Sequence, residues 1–242
     1  MVCSSDLSPA ATTQENPHRR RSIRSFVLRQ GRLTSAQRRA LESRWSAYGI
    51  DYRPSLIDLA HVFGNNAPVT LEIGFGNGDS LLQQTLGSAE RNFLGIEVHR
   101  PGVGQLLHRA SEAGVLNLRV INHDAIEVLR DMIPRDSLDC VQLFFPDPWH
   151  KRRHHKRRIV QPEFAQSIRG LLRPGGTFHM ATDWLEYADH MLTVMGRSEG
   201  FANAAGAGRF ATAQTHRPET RFEHRGRQLG HEVRDLVFVR CT

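Results

Sequence analysis

The chain has 242 residues, of which 39% are hydrophobic and 24% charged, so its length allows one sizeable core or a small pair of domains. Its three cysteines, Cys3, Cys140 and Cys241, lie far apart without Cys-x-x-Cys spacing. This spacing argues against a zinc site and a disulfide framework and favours a reducing compartment. No segment approaches the roughly 20 apolar residues of a membrane span, and the N-terminal residues lack the apolar region of a secretory signal. We therefore expect a cytoplasmic protein without a metal and without a membrane partner.

The positive charge is concentrated in two short segments. Residues 151–158 contain six lysines and arginines, and residues 19–39 contain eight arginines and no acidic residue. Since the whole chain has a net charge of +7, the remaining residues carry a net charge of −7. Two basic segments on an acidic body are the pattern expected of a protein that contacts the phosphate backbone of a nucleic acid.

In chain order, residues 1–20 are predicted to be disordered because they lack apolar periodicity and are rich in Ser, Thr, Pro and Asn. Residues 21–50 are predicted to form a basic extension with a helix that begins after Thr34, its N-cap. Residues 51–242 are predicted to form one catalytic domain, with residues 202–219 as a mobile surface loop. In that domain, helical patterns alternate with strands predicted at 69–74, 92–97, 118–122, 138–145, 177–182 and 232–239. The alternation predicts an α/β fold with a single doubly wound, mostly parallel sheet.

Four acidic residues follow or end successive predicted strands: Glu72, Glu97, Asp124 and Asp147. Because the carboxyl ends of parallel strands meet at one edge of a sheet, we expect all four to line one crevice. Glu97 is placed to accept hydrogen bonds from ribose hydroxyls. Asp124 could bind an adenine amino group, but a helix N-cap explains it equally well.

A glycine turn and these acids together distinguish between two classes of cofactor. Gly74, Gly76 and Gly78 form a G-x-G-x-G turn after the first strand, which lets the backbone pass close to a ligand. A dinucleotide pyrophosphate prefers G-x-G-x-x-G and is repelled by a nearby carboxylate such as Glu72. S-adenosylmethionine has no phosphate and carries a sulfonium and an ammonium, so an acid-lined pocket suits it. We therefore predict S-adenosylmethionine as the cofactor.

The segment from Phe144 to Arg158 combines a candidate catalytic acid with a cationic run. Asp147 lies between two prolines, which restrict its backbone, and it follows the fourth predicted strand. Asp147 is therefore the candidate catalytic residue. Trp149 could stack on a nucleic-acid base or anchor the loop in the core.

These motifs resemble those of the bacterial tRNA (guanine-N7)-methyltransferases over roughly residues 24–239. The most specific motif is F-P-D-P-W-x-K-x-R-H-x-K-R-R at Phe145–Arg158. The others are R-S-F-x-x-R-x-G-R at Arg24–Arg32, L-E-I-G-F-G-x-G at Leu71–Gly78, F-x-G-I-E-V-x-x-P-G-V-G at Phe93–Gly104, A-T-D-W at Ala181–Trp184, and T-x-F-E-x-R-G-x-x-L-G-H-x-V-x-D-L at Thr220–Leu236.

The resemblance implies a Rossmann-like methyltransferase fold and a set of residue roles. The four crevice acids would contact S-adenosylmethionine. The substrate nucleotide would be contacted by Lys151, Asp183, Thr220, Arg221, Phe222 and Glu223, and the RNA by Arg153, His154, His155, Lys156, Arg157 and Arg158. The implied product is 7-methylguanosine at guanosine 46, in the variable loop of tRNA. We expect a monomer or a weak homo-oligomer.

Two alternatives to this interpretation remain open from the sequence. The first is a methyltransferase that acts on an exocyclic amine, for which Asp-Pro-Pro-aromatic motifs are typical. Here a single proline follows Asp147, and Trp149 stands one place later than the expected aromatic residue. The second is a non-catalytic RNA-binding protein with a degenerate crevice, which predicts that the acidic positions are broken.

Overall fold

The computed structural model of the chain describes residue 26 and residues 31–212, 217–218, 223, 230 and 232–242. The predicted disordered tail, residues 1–20, lies outside the described residues. The described helices are α1 (Ser35–Ser43), α2 (Trp45–Tyr48), α3 (Leu59–Phe63), α4 (Asp79–Gly87), α5 (Arg100–Ala113), α6 (Ala125–Asp131), α7 (Pro162–Leu171) and α8 (Leu185–Gly196), with a 3-10 helix at Arg152–Arg157. The strands are β1 (Val69–Ile73), β2 (Asn92–Ile96), β3 (Leu118–Ile121), β4 (Leu138–Phe144), β5 (Leu172–Thr182), β6 (Phe201–Asn203) and β7 (Arg234–Arg240).

The seven described strands form one sheet in the order β3-β2-β1-β4-β5-β7-β6. Neighbouring strands from β3 to β5 are parallel, whereas β7 runs antiparallel to both β5 and β6. The last residue of β1, Ile73, pairs with Ile96 on one side and with Leu143 on the other. The carboxyl ends of β1, β2 and β4 are therefore level. The predicted α/β fold with a mostly parallel sheet is confirmed.

Two segments differ from the sequence-based prediction. Residues 202–203 were predicted to lie in a mobile loop but belong to the edge strand β6, where Phe201 pairs with Arg240. This strand is short and has no apolar run, so only its pairing with β7 defines it. Strand β5 begins at Leu172 rather than at residue 177, because the Pro-Gly-Gly turn is a bulge inside the strand. The pairing accordingly moves from Leu138–Leu172 to Cys140–Thr177.

The sheet is covered on both faces, as a doubly wound fold requires. One hydrophobic cluster contains buried side chains of α1, α4 and α5, and the other contains buried side chains of α6, α7 and α8. The parallel strands β1 and β2 are buried along their whole length. None of the helices in the described part of the chain is long and apolar enough to cross a membrane.

The N-terminal helix α1 is packed against α5. Thr34 forms a capping box with Gln37, in which side chain and backbone exchange hydrogen bonds, so the predicted N-cap is confirmed. A Cβ atom at Gly104 of α5 would lie 2.8 Å from the backbone oxygen of Gln37. The two helices can approach this closely only because residue 104 has no side chain.

This close approach predicts that Gly104→Ala destabilises the protein. Alanine is favoured over glycine inside a helix by about 1 kcal/mol, but the backbone of α1 must move away from the new methyl group. We expect a net loss of about 1–3 kcal/mol in the free energy of unfolding, measured by urea denaturation. The control is Gly87→Ala in α4, where a Cβ atom meets no atom within 4 Å. Equal stability of the two variants would contradict the packing described here.

Candidate active site

The four predicted acids meet at the carboxyl edge of the sheet. They line one cavity of about 840 Å³, together with Gly74 and Gly76 of the glycine turn. The cavity is also lined by Phe26, which was not among the predicted site residues although it lies inside the motif at Arg24–Arg32. Gly78 does not line the cavity but is the N-cap of α4. The convergence expected from the strand ends is therefore present in the structure.

Glu97 joins the end of β2 to the glycine turn. One of its carboxylate oxygens accepts hydrogen bonds from the backbone N–H groups of Val98 and His99, at 2.7 and 2.9 Å. The other oxygen accepts from the N–H of Gly76 at 2.8 Å. Gly76 can turn towards Glu97 because its φ of 59° is accessible to glycine. Since a carboxylate offers about four acceptor sites, Glu97 keeps capacity for a ribose hydroxyl while it fixes the turn.

Glu72 is a buried carboxyl group in the cavity wall. Glu72 is 3% exposed, and its Oε2 atom has no hydrogen-bond partner among the described residues. Burial, with a smaller contribution from the charge of Glu97, raises the pKa of Glu72 to about 8. A buried carboxylate without a partner is unfavourable, so a cation or a hydrogen-bond donor placed here would be bound strongly. The ammonium and sulfonium of S-adenosylmethionine fit this requirement, whereas a pyrophosphate does not.

Asp124 has both of the properties that the sequence left open. Its Oδ1 atom accepts a hydrogen bond from the backbone N–H of Ile126 at 2.9 Å, and so caps α6. The same residue lines the cavity. Capping therefore uses one oxygen and does not exclude a ligand at the other.

Asp147 is held in a strained loop at the mouth of the cavity. The residue is exposed and lines the cavity directly after β4. Phe145 and Trp149, on either side of the Pro-Asp-Pro sequence, have φ values of 50° and 49°. Non-glycine residues rarely adopt such values, which cost about 1–3 kcal/mol each and are found mainly at functional sites. The N–H of Phe145 donates to the carbonyl of Ala181 at 2.8 Å, which ties the loop to the end of β5.

Comparison with known proteins identifies the family. A family model described as "Putative methyltransferase" matches residues 66–236. The tRNA (guanine-N(7)-)-methyltransferase of Aeromonas hydrophila is 60% identical over 222 residues, which cover 92% of this chain and 94% of that protein. The protein of the same name from Shewanella woodyi is 56% identical over 236 residues, 98% of this chain and 99% of that one. The chain belongs to the tRNA (guanine-N7)-methyltransferase family.

Solved structures similar to this methyltransferase support the fold alone, because their sequences are distant. The 16S rRNA methyltransferase KamB matches with a TM-score of 0.54 and 14% identity, over 88% of this chain and 96% of KamB. A mutant 16S rRNA (adenine(1408)-N(1))-methyltransferase from Catenulisporales acidiphilia, solved with its cosubstrate S-adenosylmethionine, matches with a TM-score of 0.52 and 17% identity. That match covers 80% of this chain and 93% of the other.

In this methyltransferase the cationic run after Asp147 divides into exposed and buried residues. Arg153, Lys156 and Arg157 are exposed on the 3-10 helix, as an RNA contact requires. Arg158 is only 2% exposed and donates to the carbonyl of Pro148. The structure gives no support to the predicted RNA contact of Arg158, since its guanidinium is enclosed by protein.

Trp149 packs against the basic 3-10 helix and belongs to neither hydrophobic cluster. The guanidinium carbon of Arg157 lies 4.9 Å from the centroid of the Trp149 ring, and His154 meets the ring edge-on at 5.9 Å. Partial desolvation, followed by the charges of the surrounding cations, lowers the pKa of His154. The two hydrophobic clusters of the described residues give no support to the alternative in which Trp149 anchors the loop in the core. The alternative in which it stacks on a base stays a prediction.

A buried ionic network that the sequence analysis did not find lies beneath the loop. Arg217 is ion-paired with Asp235 and with Glu223, and Asp235 also bonds His179 at 2.8 Å. Burial alone would raise the pKa of Asp235, but its hydrogen bonds with His179 and Arg217 lower it to about 2. The Arg217 guanidinium lies over the ring of Phe144, 5.3 Å from its centroid. Glu223 and Asp235 both lie inside the motif at Thr220–Leu236, whereas Arg217 and His179 lie in none of the quoted motifs.

The network changes the interpretation of the predicted substrate contacts. Glu223 is 4% exposed and paired with Arg217, and it does not line the cavity. Asp183 is half-buried after β5 and Lys151 is exposed, and neither lines the cavity. Thr220, Arg221 and Phe222 lie outside the described residues. Within the described ranges, no group of three or more His, Cys, Asp or Glu side chains could hold a metal ion.

The buried carboxyl group gives a testable pH dependence. The pKa of Glu72 rises from an ordinary 4.5 to about 8 on folding, so the folded state binds the extra proton between these values. Stability contributed by this neutral carboxyl is therefore lost as pH rises through that window. Glu72→Gln cannot ionise at this position. We therefore expect its free energy of unfolding, measured by urea denaturation, to increase relative to that of the parent chain as the pH rises from 5.5 to 8.5. A constant difference between the two proteins across this range would contradict the raised pKa.

Proposed function

We propose that the chain transfers the methyl group of S-adenosylmethionine to N7 of a guanosine in tRNA, at guanosine 46 of the variable loop. The observation that carries the proposal is the continuity of one segment. Residues 144–147 line the acidic cavity, and the next few residues lead directly into the exposed cations of the 3-10 helix. The names of the relatives support guanine N7 as the acceptor. We propose the cytoplasm as the compartment because that is where the reducing conditions expected from the cysteines occur.

The chemistry of the acceptor explains which groups the site needs. When bound, S-adenosylmethionine supplies an activated methyl group. The in-plane lone pair of guanine N7 forms the new N–C bond while the S–C bond breaks and its electron pair stays on sulfur. N7 carries no proton, so no general base is required, and the product base is a cation. The protein therefore has to supply proximity and in-line alignment, together with negative potential where the positive charge develops.

The four acids divide this work according to their surroundings. We assign Glu72 to the cationic end of S-adenosylmethionine, because its buried Oε2 atom has no partner among the described residues. We assign Glu97 to the ribose hydroxyls and Asp124 to the adenine amino group, through the acceptor sites that their backbone contacts leave. Asp147 accepts from a guanine N–H and stabilises the developing cation, since it is the acid exposed at the cavity mouth.

Product analysis tests the proposal and separates it from exocyclic-amine transfer. The protein is incubated with unmodified tRNA and S-adenosylmethionine, and the nucleosides are then identified by mass spectrometry. The modified position is mapped by borohydride and aniline cleavage, which is selective for 7-methylguanosine. We expect 7-methylguanosine at one cleavage site in the variable loop. An N-methylated exocyclic amine as the product, or no methylated nucleoside, would overturn the proposal.

The proposed role of Asp147 predicts a loss of kcat without a loss of tRNA affinity. Asp147→Asn keeps the shape of the side chain and removes its negative charge, so we expect kcat to fall about 10²–10³-fold. The tRNA dissociation constant should change little. Asp136→Asn is the control, because Asp136 is exposed before β4, at the opposite edge of the sheet. Retained kcat in Asp147→Asn would remove Asp147 from catalysis.

The exposed cations of the 3-10 helix predict a change in the salt dependence of tRNA binding. Each phosphate contact that is lost should lower the slope of log K against log salt by about 1. We expect Arg153→Ala and Lys156→Ala each to weaken tRNA binding and to flatten this slope. Arg173→Ala serves as the control, because Arg173 is exposed in the Pro-Gly-Gly bulge near the start of β5, at the opposite edge. An unchanged slope in both Arg153→Ala and Lys156→Ala would contradict the assignment of the 3-10 helix to RNA.

A further inference from the structure

Arg158 differs from every other cation of the basic run because its side chain is enclosed. The side chain is 1% exposed. Its Nε atom donates to the carbonyl oxygen of Pro148 at 2.9 Å, and its guanidinium lies over the Tyr187 ring, 4.9 Å from the centroid. Tyr187 is itself fully buried in α8. Arg158 therefore connects the Pro-Asp-Pro loop to the helix that follows β5.

The second edge of the guanidinium is also engaged. The Nη2 atom contacts Nε2 of His155 at 3.1 Å and Oε1 of Glu186 at 3.3 Å. The Nε2 atom of His155 also lies 3.5 Å from Oε1 of Glu186, so these three side chains form one group. Glu186 supplies the compensating charge that a buried cation needs. With Nε and Nη2 in contact with other protein groups and the side chain 1% exposed, Arg158 has almost no surface to offer a phosphate.

The bond to Pro148 limits the backbone freedom of Asp147. The carbonyl group that Arg158 binds belongs to Pro148, the residue directly after Asp147. The ring of Pro148 fixes the φ angle of Pro148. The ψ angle of Asp147 is restricted by the proline that follows it. The ψ angle of Pro148 is set by the hydrogen bond to Arg158. On the other side, Phe145 is tied to Ala181. The segment is thus held at both ends, with Asp147 in the middle.

We propose that Arg158 is a positioning residue that clamps the Asp147 loop between the 3-10 helix and α8, and that it does not contact RNA. This inference rests on the proposed function, in which Asp147 receives the guanine. The clamp needs the guanidinium group as well as the positive charge. A lysine cannot donate to Pro148 through a planar fork while it also reaches Glu186 and stacks on Tyr187. Arg158→Lys therefore keeps the charge and removes the geometry.

The test compares Arg158→Lys with Arg153→Ala, an exposed cation of the same run. For each variant, kcat and KM for tRNA are measured at saturating S-adenosylmethionine, together with the salt slope of tRNA binding. We expect Arg158→Lys to lower kcat about 10–100-fold, because small misplacements of a catalytic group have effects of this size. Its KM and salt slope should stay at the values of the parent chain. Arg153→Ala should show the reverse, with a raised KM, a flatter slope and a retained kcat.

The outcomes separate the clamp from an RNA contact and from general unfolding. Affinity for S-adenosylmethionine, measured by calorimetry, reports whether the cavity is intact in Arg158→Lys. If this variant does not fold, the same measurements on Glu186→Gln apply, since Glu186 is exposed and its loss leaves the clamp without its charge partner. We expect a lower kcat with an unchanged KM there too. A retained kcat in the folded variant, or a raised KM with a flattened salt slope, would overturn the proposal.

The identity of the product formed by the parent chain is measured separately. If the parent chain forms no 7-methylguanosine, the proposed function fails whatever the variants do. If it forms 7-methylguanosine and Arg158→Lys behaves like Arg153→Ala, only the clamp fails.

Discussion

The side-by-side pairing of β1 with β4 is the constraint on which the site depends. These strands are far apart in the chain, yet Ile73 pairs directly with Leu143. The pairing brings the glycine turn after β1 beside the Pro-Asp-Pro loop after β4, at the edge where ligands bind in open α/β sheets. Because both strands are buried among helices on two faces, neither loop can shift along the sheet without disrupting the core. The acids are therefore brought together by the topology of the fold.

Two kinds of charge are treated differently in this structure. The cations on the outside of the 3-10 helix remain exposed. There each cation stays hydrated, so it costs the fold little free energy, and it is available to a polyanion. The buried charges, Arg158 and Arg217, have partners and hold chain segments around the loop. Removing one partner of such a buried pair usually destabilises a protein by more than the intact pair stabilises it. Glu72 differs from these two arginines, since one of its buried oxygens has no partner among the described residues.

Much of the fold and of the site could be predicted from the sequence, because the signals involved lie close together in the chain. The apolar runs of the strands, the Thr34 N-cap and the acids at strand ends have signals within a few residues, and each was found. The edge strand β6 and the Pro-Gly-Gly bulge in β5 were missed because pairing with a distant strand defines them. The burial of Arg158 was missed for a related reason. In a run of six cations, only the position of Tyr187 and Pro148 in space distinguishes the enclosed arginine from its exposed neighbours.

We propose that the buried carboxyl of Glu72 receives the positive charge of the methyl donor. With a pKa of about 8 before binding, Glu72 is mostly protonated at pH 7, and a bound cation favours its ionised form. Calorimetric titration with S-adenosylmethionine at pH 7, in buffers of different ionisation enthalpy, measures the protons released. We predict that the parent chain releases about one proton more per site than Glu72→Gln does. Equal proton release by the two proteins would contradict the claim.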